Sequence, residues 1–90
     1  MLVDVGTRAS ADYLAIVDYI SDFGPAPAMR FIEQFETALE DLRDYPWLGM
    51  AADDDATRVL RFGEFYRLES VLQPDRVFVL RVKDGRRQGD

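Results

Sequence analysis

The stretch TRVLRFGEFYRLESVLQPDRVFVLRV, Thr57 to Val82, is where the hydrophobic period of this chain becomes two. Val, Leu and Phe recur in three runs, Thr57–Phe62, Phe65–Leu72 and Arg76–Val82, and such runs read as strands. Gly63-Glu64 predicts a two-residue type II′ hairpin with Gly first, and Gln73-Pro74-Asp75 predicts a turn whose Pro pre-sets a central dihedral. Three strands joined this tightly form an antiparallel meander. Alternation then assigns its faces. Leu60, Phe62, Tyr66, Leu68, Leu72, Phe78, Leu80 and Val82 share the face expected to pack on the rest of the chain. Val59, Arg61, Phe65, Arg67, Glu69, Val77, Val79, Arg81 and Lys83 fall on the other.

Upstream of the meander the spacing is helical. Tyr13, Ile16, Val17, Ile20 and Phe23 recur at three- and four-residue steps, with Ser10 as the expected N-cap and Asp12 against the helix dipole. Gly24 is expected as the residue just past that helix, and Pro25 blocks its continuation. A second helix is predicted from about Pro27 to the residues before Pro46, with Phe31, Ile32, Phe35, Ala38, Leu39 and Leu42 on its apolar face. A connection this short makes the two an antiparallel αα-hairpin. Leu2–Val5 reads as a short strand, and Trp47–Ala56 as a loop in which Trp47 lids the end of the core and Asp53, Asp54 and Asp55 are solvated. The expected fold class is therefore α+β. A short N-terminal strand and a helical hairpin pack on a small antiparallel sheet in one domain, residues 1–90, with a loosely ordered tail from about residue 83.

Absences narrow the chemistry. With no Cys and no His in 90 residues, thiolate nucleophiles, Cys- or His-ligated metals, Ser-His triads and an imidazole acid/base are all excluded. No cofactor and no metal are expected. Apolar runs of only a few residues leave nothing to span a membrane, and no signal peptide is visible at Met1-Leu2-Val3-Asp4, so the expected location is the cytoplasm.

The net charge of −6 hides an asymmetry: residues 1–56 sum to −9 and residues 57–90 to +3. An acidic protein binds nucleic acid poorly in general, but its basic part can still present an anion-binding face. The expected members of that face are Arg58, Arg61, Arg67, Arg81, Lys83, Arg86 and Arg87, whose guanidinium forks suit phosphate or carboxylate.

Order and punctuation resemble the RelE/ParE superfamily of type II toxins. The resemblance rests on Ala11-Asp12-Tyr13-Leu14-Ala15-Ile16-Val17-Asp18-Tyr19-Ile20, on Ala26–Phe35, and on Leu42-Arg43-Asp44-Tyr45-Pro46-Trp47-Leu48-Gly49. It continues through Arg58-Val59-Leu60, Tyr66-Arg67-Leu68, Val77-Phe78-Val79-Leu80-Arg81-Val82 and Gly85-Arg86-Arg87-Gln88, and so covers nearly the whole chain. It implies a growth-inhibiting toxin neutralised by a cognate antitoxin, which is expected to dock in the groove between the helices and the sheet edge and on an exposed outer-face pair, Val77 and Val79, with Arg61, Arg67 and Arg81 meeting its acidic groups.

The superfamily divides by mechanism. ParE-like members inhibit DNA gyrase, and RelE-like members cleave mRNA on the ribosome. Cleavage through a 2′-hydroxyl requires a base, an acid and cations for the phosphorane. Arg61, Arg81 and Lys83 supply cations, but Tyr66, Glu64 and Lys83 are the only nearby candidates for proton transfer. Asp53–Asp55 stand where nuclease members carry lysines, Ser70 stands where an aromatic residue is common, and no His or Tyr follows the last strand. These departures favour the ParE-like reading, with gyrase as the partner. Ribosome and mRNA are the alternative, and a non-toxic interaction module is the third reading.

Overall fold

A computed structural model of the protein describes residues 1–86. Strand β1 (Leu2–Val5) leads through Gly6 into α1 (Thr7–Ser21), and α2 (Pro25–Asp44) follows after a three-residue turn. Then come β2 (Met50–Ala51), β3 (Thr57–Phe62), β4 (Tyr66–Leu72) and β5 (Arg76–Asp84). The five strands form one sheet in the order β1-β5-β4-β3-β2, antiparallel except that β1 runs parallel to β5. This is the expected α+β architecture of a helical hairpin on a sheet, with a parallel edge strand and a short β2 that periodicity left unassigned.

The helix boundaries shift. α1 starts at Thr7 with Gly6 as N-cap, so Ser10 lies inside the helix, and Asp12 is a turn beyond the helix end it was expected to stabilise. Gly24 is the N-cap of α2, which starts at Pro25 rather than Pro27. The apolar stripes otherwise hold: Ile16 and Ile20 of α1, and Phe31, Phe35, Ala38 and Leu42 of α2, are buried against Phe62, Leu68 and Val82 of the sheet. Phe23 lies past the end of α1 and is exposed. Between β3 and β4 the ladder closes at Phe62 opposite Tyr66, so the connection is the three residues Gly63, Glu64 and Phe65. Gly63 takes φ +59°, a left-handed conformation that a side chain disfavours.

The largest correction falls on β5. Glu69 pairs with Arg81 and Ser70 with Val79, which leaves Leu80 as the extra residue of a bulge. One inserted residue reverses the facing of everything before it. Val77 and Val79 are therefore fully buried, at 0 % exposure, where alternation put them outside. Val3 and Val5 of β1 align with them and pack against the same core. Phe78 and Leu80, expected in the core, lie on the opposite side and are half-buried. Leu72, also expected in the core, is exposed at the end of β4. β5 continues to Asp84, so Lys83 and Asp84 belong to a strand and not to a loose tail.

Candidate basic face and cleft

The structure sorts the expected basic face into two rungs and several exclusions. On the surface away from the helices, Arg61 of β3 stands opposite Arg67 of β4, and Arg67 opposite Lys83 of β5. The next rung is Val59, Glu69 and Arg81. Arg61 and Arg81 are thus a strand and a rung apart, not side by side. Arg58 stands opposite Ser70, whose side chain is buried on the helix side, so Arg58 leaves the outer face altogether. Arg87 lies outside the described residues.

Arg81 is not available to a ligand in the way expected. β1 pairs with β5 only as far as Val79, and α1 takes over the edge of β5 beyond that point. The Asp12 carboxylate sits there as a substitute for a strand. Its Oδ2 accepts a hydrogen bond from the Val82 N–H at 3.0 Å and another from Arg81 Nε at 2.7 Å, while Oδ1 accepts from Arg81 Nη2 at 3.3 Å. Burial works against the charged form of Asp12. The Arg81 guanidinium and the Val82 amide outweigh it and hold the carboxyl below its ordinary value. Lys83 is likewise engaged, its Nζ 3.0 Å from Glu69 with both side chains largely covered.

Beyond the β3–β4 turn the chain end builds a second feature. Asp84, only 1 % exposed, accepts hydrogen bonds from the backbone N–H of Arg86 at 3.0 Å and from its guanidinium at 2.9 and 3.1 Å. The same guanidinium lies over the Phe65 ring, 4.4 Å from its centroid, and donates to the Tyr66 hydroxyl at 3.3 Å. Gly85 is required by space, since a Cβ there would come within 2.9 Å of the Phe65 carbonyl oxygen. Burial raises the Tyr66 pKa, so its phenol is protonated at neutral pH.

Arg86 is a wall shared by two hollows. The larger, of about 350 Å³, opens between the hairpin turn of the helices and the β3–β4 turn, with Tyr19, Phe23, Arg30, Phe65 and Arg86 among its lining residues. The smaller, of about 250 Å³, brings together Arg61, Glu64, Tyr66, Arg67 and Arg86. The structure therefore gathers three of the five residues named for a nuclease, Arg61, Glu64 and Tyr66, and leaves Arg81 and Lys83 out. Asp84 was missed by sequence reasoning. Its signal is the spacing Asp84-Gly85-Arg86, an acid and a guanidinium around a residue with no side chain.

This fold has counterparts among known proteins. A family described as ParE toxin of type II toxin-antitoxin system, parDE, matches residues 3–89. The chain belongs to the ParE toxin family. Its relatives include a protein of Caulobacter vibrioides named Toxin RelE2, 38 % identical over 78 residues, an alignment covering 87 % of this chain and 76 % of that one. A solved structure described as a chromosomal ParDE TA system from P. aeruginosa superposes with a TM-score of 0.80, covering 93 % of this chain and 95 % of that one at 18 % identity. The ParE-family chain is thus a toxin of the type II toxin–antitoxin class, and its fold is that of the RelE/ParE superfamily. Within its described residues no helix is long and apolar enough to cross a membrane.

Proposed function

We propose that this ParE-family toxin arrests growth in the cytoplasm by binding DNA gyrase, with a cognate antitoxin as its neutralising partner. The observation that carries this reading is that two of the three cations named for the phosphorane, Arg81 and Lys83, do not line the hollow that holds Arg61, Glu64 and Tyr66, and each is held in an ion pair. Lys83 is paired with Glu69. Arg81 is clamped by Asp12. Arg61 and Arg67 are what the outer face offers to a partner, and guanidinium groups bind anions well while exchanging protons poorly. The antitoxin contacts expected at Val77, Val79 and Arg81 are withdrawn, because both valines are buried and the arginine is held.

The experiment compares the two targets directly. Purified protein is expected to inhibit gyrase supercoiling or to trap cleaved DNA, and to leave ribosome-bound mRNA intact. Ribosome-dependent cuts at codon positions would instead assign the chemistry to the Arg61, Glu64 and Tyr66 hollow. Harmless expression at high level, with no change on adding a neighbouring reading frame, would support the non-toxic interaction module.

A further inference from the structure

Arg61 and Arg67 face each other across β3 and β4, and Lys83 follows on β5. Like charges directly opposite one another on a sheet repel, and an acid beside them relieves the strain. Glu69 does this for Lys83. Arg61 and Arg67 make no ion pair or side-chain hydrogen bond among the described residues. Both line the 250 Å³ hollow beyond the β3–β4 turn, together with Glu64, Tyr66, Gly85 and Arg86. Gly85 lets the strand cations reach the chain end, since a Cβ there would lie 3.5 Å from Arg67 Nη1. Arg86 is held from behind: Nε and Nη2 donate to Asp84, Nη2 also donates to the Tyr66 hydroxyl, and Nη1 has no acceptor among the described residues. Asp84 therefore cancels the charge of Arg86 and fixes its orientation without occupying all its donors. Glu64 is the one acid among the residues lining this hollow, against the two uncompensated guanidinium groups of Arg61 and Arg67.

From this arrangement we infer that the smaller hollow is a binding site for a dianionic phosphate group, free or carried by a nucleotide. A carboxylate presents one edge of two oxygens, which a single guanidinium fork satisfies. A terminal phosphate carries about two charges and three oxygens pointing in different directions, so forks from separate strands share it. A phosphate between Arg61 and Arg67 turns their mutual repulsion into a common attraction, with Arg86 already oriented beside them. Phe65 and Tyr66 line both this hollow and the larger one, and give the base of a nucleotide an aromatic surface next to its phosphate. The inference rests on Arg61 and Arg67 being the face offered to a partner, and adds the chemistry of what that face holds.

The test is an amide NMR titration of the full chain at low salt with inorganic phosphate, adenosine 5′-monophosphate, dimethyl phosphate and acetate. Phosphate and the nucleotide should shift the amides of Arg61, Arg67, Gly85 and Arg86, and bind about tenfold more tightly than the two monoanions. Equal affinity for phosphate and nucleotide assigns the site to a free phosphate group; a nucleotide that binds about tenfold tighter assigns it to a nucleotide. Arg61→Gln and Arg67→Gln, each verified as folded by circular dichroism, should each weaken phosphate about tenfold. Glu64→Gln should tighten it, and Arg30→Gln, which alters the larger hollow alone, should leave it unchanged. No shift with either phosphate compound overturns the inference. So does acetate binding as tightly as phosphate, and so does affinity that survives loss of both arginines. The titration contains the toxin alone, so gyrase inhibition without phosphate binding sinks this inference and leaves the target reading standing.

Discussion

At the scale of single residues, similar arginines on one sheet have opposite roles. Arg81 is a structural group: Asp12 holds it and satisfies the Val82 N–H with the same carboxylate. Asp12→Ala leaves both donors without their acceptor and should cost about 2 kcal/mol in a denaturant titration. The pH dependence has a definite sign. Because the folded pKa of Asp12 is depressed, its contribution is complete above the unfolded value of about 4 and is lost as pH falls through the lower folded value. The stability gap between the native protein and Asp12→Asn should therefore be flat near neutrality and close only in acid. Arg61 behaves in the reverse way. It stands opposite Arg67, a like-charge pair that the fold would be better without. Arg61→Glu should raise stability by about 0.5 kcal/mol while removing toxicity. Ser70 is a third case, 1 % exposed with no partner for its hydroxyl among the described residues. Ser70→Ala removes a stranded polar group, and calorimetry should show a gain of about 1 kcal/mol.

At the scale of elements, legibility followed the redundancy of the pattern. The α2 stripe is readable because, from Arg30 onward, every position outside it is polar, leaving one possible face. β3 and β4 are readable for the same reason: Arg61, Arg67 and Glu69 fix the outward parity. β5 is different. Val77-Phe78-Val79-Leu80 is apolar at both parities, so alternation there has no polar reference until Arg81, and the bulge at Leu80 breaks the link between Arg81 and the valines before it. The error carried directly into the expected antitoxin contact. β1 was read as a strand, but its parallel partner was not, since pairing across more than seventy residues leaves no local mark. The basic hollow was half legible: Arg61, Tyr66 and Arg86 were named, while Asp84 was assigned to a loose tail. Val79→Ala tests the corrected facing, because deleting two buried methyl groups should cost about 2 kcal/mol by thermal melting. An exposed valine would lose almost nothing.

At the scale of the whole molecule, the order of strands in space differs from the order in which they are made. β5 is the last element of the described chain, and it lies between β1, the first, and β4. It also supplies Val77, Val79 and Val82 to the core and the edge on which Asp12 closes. A chain ending after Leu72 lacks the strand that joins its beginning to its middle, and should show no cooperative melting. A chain ending after Arg86 should melt cooperatively, with the unfolding midpoint close to that of the full protein. During synthesis the helices and β1 emerge long before β5, and domains gain native packing only when their long-range partners exist. For a growing chain, the parallel pairing of β1 with β5 acts as a clock. The rung of Arg61, Arg67 and Lys83 is assembled only when β5 is out, so no nascent chain presents that face to a target before β5 has emerged.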